Sequence, residues 1–241
     1  MRKLILVLGG SMALTIAPLA AADVLGAGVS VSYWQPDFSG DIASGNSKFD
    51  VEDDLNLDND SSISAEALIE HPFPMLPNVR LGYTQIEQDG RSTVNYGDVN
   101  GAASSEFELE QLDLTLYYEV LDNWVNLDLG LTVRDLSAEL LITDQNNAAN
   151  QEKIKVSGAL PMGYVAARFD LPFTGVSAGV QGNLISFDGD SIHDLDAYGQ
   201  YEIALVQLRL GYRQMAVDYE DDNNLLDVTL GGPYASIGVD F

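Results

Sequence analysis

The sequence predicts an all-β chain folded as a transmembrane antiparallel up-and-down β-barrel of ten strands, with eight strands as the alternative count. Three observations predict it. From Leu25 to Phe241 apolar residues recur with a period of two, the period of a strand rather than the 3.6 of a helix. Charged residues within these segments fall on the face opposite the Leu/Val row. The connections alternate between short turns and longer polar loops, as they do when one end of a barrel carries turns and the other carries loops.

The first segment, LGAGVSVSYW, sets Leu25, Ala27, Val29, Val31 and Tyr33 against Gly26, Gly28, Ser30 and Ser32. In ISAEALIEH, Ile63, Ala65, Ala67 and Ile69 oppose Ser64, Glu66, Leu68 and Glu70. The proline-rich connection PFPMLPN suits a turn and not a central strand, and VRLGYTQIE then opposes Val79, Leu81 and Tyr83 to Arg80, Gly82 and Thr84. LDLTLYY and WVNLDLGLTVRD repeat the scheme, the second with Val125, Leu127, Leu129, Leu131 and Val133 against Asn126, Asp128, Gly130, Thr132 and Arg134. Upstream, Phe107 and Leu109 have the opposite parity, which predicts either a bulge near Glu110 or a strand that has already left the apolar layer. A Pro-Phe turn at LPFTG joins two more segments. The last, YASIGVDF, alternates Ala235, Ile237, Val239 and Phe241 with Tyr234, Ser236, Gly238 and Asp240.

Ten candidate strands result: 25–34, 62–71, 78–88, 106–119, 124–139, 154–169, 175–187, 194–204, 206–219 and 226–241. Short connections fall at 72–77, 120–123, 170–174 and near 205, and generally longer, more polar ones at 35–61, 89–105, 140–153, 188–193 and 220–225.

A soluble sandwich would also alternate, so the strand charges carry weight. Arg80, Arg134, Arg168, Arg209 and Arg213 share the face opposite the apolar row with Glu66, Glu70, Asp113, Asp128 and Glu202. In a barrel that face is the lumen and the apolar rows meet lipid. Tyr33, Tyr83, Tyr118 and Tyr212 lie near strand ends on the apolar parity, where an aromatic girdle belongs. Gly and Ser at 26, 28, 30, 82, 130 and 179 leave room for the long charged side chains inside. A strand of about 11 residues tilted roughly 40° spans on the order of 28 Å, close to the apolar band of such a membrane. Charges held in that confined interior are expected to pair. The expected network is Glu66, Arg80, Asp113, Asp128, Arg134, Arg168, Glu202, Arg209 and Arg213, a polar plug rather than an aqueous pore, with a narrow pore as the alternative.

The 241 residues carry 11 Lys plus Arg against 37 Asp plus Glu, a formal charge of −26. That balance argues against binding nucleic acid. The absence of Cys excludes disulfides, thiolate metal sites and Cys nucleophiles. Residues 1–22 read as an export signal: Arg2 and Lys3, an apolar stretch from Leu4, then Ala20 and Ala22 as the small residues of a cleavage site. Residues 23–241 then form a single barrel domain with long acidic loops.

The export signal, the alternating strands, the Gly/Ser strand leading to YWQPDFSG, the LGYRQ segment and the terminal GPYASIGVDF together resemble small Gram-negative outer-membrane β-barrel proteins without assigned activity. The resemblance implies location in the bacterial outer membrane, with lipid and lipopolysaccharide as surroundings. It also implies a terminal signal for the barrel-assembly machinery, matched here by Phe241, Val239 and Ile237, and export-pathway partners for what is otherwise a monomer.

Catalytic patterns are sparse. His71 and His193 make no zinc-binding pair, and no GxSxG, GxxxxGK[ST] or GxGxxG occurs. His193 with Ser191 and Asp196 is the one local set that suits a lipid-modifying barrel enzyme, and the expectation is an ordinary histidine in a protein that is not an enzyme. The first loop gathers Asp50, Glu52, Asp53, Asp54, Asp58 and Asp60, which suit weak calcium or magnesium association at most, since the EF-hand order of ligands is missing. No other cofactor is expected.

Overall fold

A computed structural model describes residues 25–44, 47–57, 62–73, 75–97, 99–221 and 224–241. The predicted export signal, with Ala20 and Ala22, and the loop acids Asp58 and Asp60 lie outside the described residues. The strands are β1 (Gly26–Trp34), β2 (Asp37–Ser44), β3 (Ser47–Asp50), β4 (Ser62–Glu70), β5 (Asn78–Tyr96), β6 (Val99–Leu121), β7 (Val125–Asp144), β8 (Gln151–Leu171), β9 (Val176–Phe187), β10 (Asp190–Ile203), β11 (Val206–Asp221) and β12 (Asn224–Asp240). All pairings are antiparallel. Ten strands run β1, then β4 to β12 in order, and β12 pairs back onto β1 to close the barrel. At the seam Val29 faces Val239 and Val31 faces Ile237, and the backbones of Ala27 and Phe241 exchange two hydrogen bonds.

Alternation decides the facing. Val29, Val31, Leu81, Leu112, Leu114, Leu116, Leu129, Leu131, Leu208 and Leu210 all point outward and are exposed. This belt has aromatic rims. Tyr33, Tyr83 and Tyr212 stand at its edge toward the long loops, and Tyr118, Trp124, Phe169 and Phe173 toward the short turns. Amphipathic rings suit such borders because one end is apolar and the other is wet.

Several strands run well beyond the belt. On β6 the outward row reads Tyr118, Leu116, Leu114, Leu112 and then Glu110, Glu108, Glu106, all exposed, while Leu109 turns inward and is buried. No register shift occurs at Glu110; the pairing with β5 and β7 continues unbroken, and the irregularity falls at Glu119/Leu121. Of the two expectations for Phe107 and Leu109, the strand leaves the apolar layer without a bulge. The same change occurs after Tyr83 on β5 and after Val133 on β7. Beyond it the barrel wall is built like a soluble protein, polar outside and apolar inside.

This explains why the strands outrun their sequence-based limits. The connection expected at 188–193 is reduced to Asp188 and Gly189, which have φ of 54° and 101°. A two-residue Asp-Gly loop with both φ positive matches the twist of the flanking strands, so β10 starts at Asp190. The stretch expected as a loop at 89–105 is mostly the continued β5–β6 hairpin.

On the wall outside the belt, Glu87, Glu108 and Glu139 lie directly opposite one another across β5, β6 and β7, and Lys155 faces Glu139 from β8. Lys153 Nζ lies 2.5 Å from Glu139 Oε1. The hydrogen bond from Lys153, reinforced by the charge of Lys155, holds the Glu139 carboxyl below its ordinary 4.5. A depressed carboxyl pKa is stabilising above the unfolded value and the contribution is lost as pH falls through the folded one. A carbon-detected NMR titration is expected to place the Glu139 midpoint below 4.5 and to raise it in Lys153→Met; a midpoint unchanged by that substitution would refute the assignment.

Candidate functional site

The lumen has three tiers. The long-loop end is closed by an apolar core: Ile86, Val94, Val99, Ala103, Leu109, Leu140, Ile142, Met215 and Leu230 point inward, and the first loop adds Phe38, Val51 and Leu55. The loop is drawn in by two unpaired edges. Because β1 and β4 stop pairing at Trp34 and Ser62, the outer halves of β12 and β5 have no neighbour on that side, and exposed edges invite pairing. β2 pairs with Asn224–Gly231 of β12, β3 folds back on β2, and a π-helical turn at Val51–Leu55 crosses the mouth. Leu57 then bridges to Gly90 on β5. A side chain at Gly90 would run into the carbonyl oxygens of Leu55 and Asn56, so the turn seats only over glycine. Phe38 meets Phe107 edge to face, 4.8 Å between centroids.

The middle tier is a strap of charges across the barrel. Arg134, 1% exposed, holds Asp113 with two hydrogen bonds of 2.8 and 2.7 Å and reaches Asp194 Oδ2 at 2.7 Å. Arg213 takes the same Asp194 in a second fork, 2.9 and 2.7 Å, and donates to Thr84 Oγ1 at 3.1 Å. Its guanidinium lies 4.8 Å from the ring centre of Trp34, whose indole N–H donates to the Gly232 carbonyl at 3.1 Å. Gln111 donates to Asp113 at 2.9 Å. Two cations and two anions are thereby satisfied in paired, bidentate geometry, the condition under which buried charges are tolerated. The strap joins β5, β6, β7, β10 and β11. Thr132 is locked beside it by Thr115 at 2.8 Å and Asn183 at 2.5 Å.

Below the strap the lumen widens toward the short turns. Arg80 is paired with Glu66 and donates to the Tyr164 hydroxyl at 2.6 Å. Tyr117 donates to Glu70 and Tyr234 to Asp196, at 2.7 and 2.8 Å.

Of the nine network residues read from the sequence, the structure brings five, Glu66, Arg80, Asp113, Arg134 and Arg213, into two clusters. The other four are placed on the lumenal face but are not joined to these clusters. Arg168 pairs with Asp170 at 3.0 Å, two residues along its own strand. Arg209 bonds the neutral Gln200 at 2.6 Å and lies 4.5 Å over Tyr198. Asp128 and Glu202 have no ion pair among the described residues. Across the strands Arg209 faces Gln200 on β10 and Ser236 on β12, both neutral. The residue missing from the sequence reading is Asp194, the acid shared by both central arginines. Its signal was available, since Asp194 has the parity of Asp196 and Glu202, but it stood at the assumed first position of its strand.

The histidine set does not converge. His193 and Ser191 share one face of β10, and Asp196 lies on the other, bound to Gln181 and Tyr234. In the first loop Asp50 accepts the Glu52 amide at 2.9 Å, and among the described residues no three acidic or histidine side chains are gathered around a common point suited to a metal ion. Ile237 and Phe241 are exposed at the outer surface of the closing strand.

Among solved structures, the outer-membrane protease OmpT from Escherichia coli aligns over 90% of this chain and 97% of its own at a TM-score of 0.60 and 6% identity. The chain has the fold of a bacterial outer-membrane β-barrel. The translocator domain of the autotransporter NalP from Neisseria meningitidis aligns over 92% of this chain and 90% of its own, with 12% identity and a TM-score of 0.47. For the attachment invasion locus protein Ail of Yersinia pestis the figures are 90%, 98%, 10% and 0.39. No protein-family model and no curated protein matches the chain.

Proposed function

We propose that this is a non-enzymatic barrel of the bacterial outer membrane, closed to solute flow, with an envelope-structural or surface-interaction role. The long loops face the exterior, in contact with lipopolysaccharide, and the short turns face the periplasm. The observation that carries this reading is the strap Asp113–Arg134–Asp194–Arg213 beneath an apolar plug. An ion crossing it would have to break bidentate charge pairs and then traverse a dry layer of Ile, Val and Leu, where an unpaired charge is strongly disfavoured. The separation of His193 and Ser191 from Asp196 supports a non-catalytic role.

The test is conductance of the protein, purified from the outer-membrane fraction, in planar bilayers. The expected result is no discrete unitary current. Regular steps with a definite ion preference would replace this reading with the narrow pore, and release of fatty acid from added lipopolysaccharide would replace it with a lipid-modifying enzyme.

A further inference from the structure

Between the strap and the short turns lies a cavity of about 660 Å³, reaching His71, Pro72 and Asp122 at the turn end. That is within the size range of small-molecule sites, about 300–1,000 Å³. Its three arginines are already engaged: Arg80 by Glu66, Arg168 by Asp170, and Arg209 by Gln200 and the Tyr198 ring. Of its carboxylates, Glu66 is held by Arg80 and Glu70 by Tyr117. Asp122, Asp128, Glu202 and Asp240 line it with no side-chain hydrogen bond or ion pair among the described residues. Glu119 and Asp128 moreover stand directly opposite each other on β6 and β7, and like charges in that position repel.

A second observation is independent of the acids. Tyr198 and Gln207, only 9% and 8% exposed, also line the cavity, and neither the hydroxyl nor the amide has a hydrogen-bond partner among the described residues. Neither polar end is among the fully buried unpartnered atoms, so both open onto the cavity and this wall offers donors and acceptors to an occupant. A single metal ion does not fit, because no three of the acids converge on one point. Carboxylates distributed around an elongated space match a molecule with several separated ammonium groups, each able to donate three hydrogen bonds.

We propose that this vestibule binds an organic cation with two or more amines, entering from the short-turn end. The proposal concerns a ligand and stands whether or not the lumen conducts.

Titration calorimetry of spermidine into the detergent-purified, folded full chain tests it. One saturable site is expected. Glu119→Gln with Asp128→Asn weakens binding on the order of 10-fold and Tyr198→Phe about 3-fold. Both variants should fold, since the first removes a repulsion and the second an unpaired hydroxyl; heat-modifiable migration in gels checks this. The outer-wall pair Glu106→Gln with Glu108→Gln, which removes the same charge outside the cavity, leaves binding unchanged. Non-saturating heats, equal losses in both double variants, or displacement of spermidine by an equal concentration of magnesium would each overturn the proposal.

Discussion

Replacing Asp194 by alanine is expected to destabilise the folded barrel by about 3–5 kcal/mol, the usual consequence of removing one partner from a buried charge cluster. Asp194 is 5% exposed and is the acid that Arg134 and Arg213 share. Its loss leaves Arg213 without a carboxylate in hydrogen-bond range, held only by Thr84, Ser64 and the Trp34 ring. Arg134 keeps Asp113. Arg209→Ala provides the comparison and should have a clearly smaller effect, because it leaves only a glutamine amide and a tyrosine face behind. Reversible urea unfolding in lipid vesicles measures both. Equal losses, or a loss under about 1 kcal/mol for Asp194→Ala, would show that water or rearrangement relieves the stranded guanidinium.

The second large effect concerns the belt. Leu129→Arg is expected to destabilise the inserted barrel by roughly 2–4 kcal/mol, the depth-dependent effect of a cation on the lipid face. Leu129 points outward and is 46% exposed, in the middle of the apolar row of β7. Ala166→Arg is the matched change on the lumenal face: it enters the wide lower cavity directly opposite Asp128 and should be nearly neutral. Thr132 would be a poor comparison although it shares that face, because it is fully buried between Thr115 and Asn183. Comparable defects in Leu129→Arg and Ala166→Arg, in the same vesicle assay, would mean the facing assignment is wrong.

Facing and strand number were legible because a period of two is a local property: Leu112, Leu114 and Leu116 alternate with Asp113 and Thr115 whatever lies next to them. What pairs with what across the lumen was not, since that depends on shear and on residues far apart in sequence. Asp194 and Arg134 are 60 positions apart. The apolar plug was hidden for a different reason. Phe107, Leu109, Leu140 and Ile142 have strand periodicity, but their phase is opposite to that of the belt, so they look like faults in the pattern until the strand is known to continue into water. The first loop has the same difficulty, because Val51 and Leu55 sit among acids and nothing local announces that they are buried.

The uninterrupted passage of β6 from Leu112 to Glu110 has an evolutionary consequence. One strand is subject to two opposite rules of substitution, separated by a single step of its outward row. On the turn side of that step glutamate in place of an outward leucine would set a charge in the apolar belt, whereas on the loop side leucine in place of Glu106 or Glu108 would expose a sticky edge to unfolded chains. What an outward position tolerates therefore depends on its height along the barrel as well as on residue type. Insertion of two residues in the hairpin turns would preserve every side chain's facing and be tolerated, while the same two residues inserted within the belt would raise the acidic rows of one strand out of line with those of its neighbours.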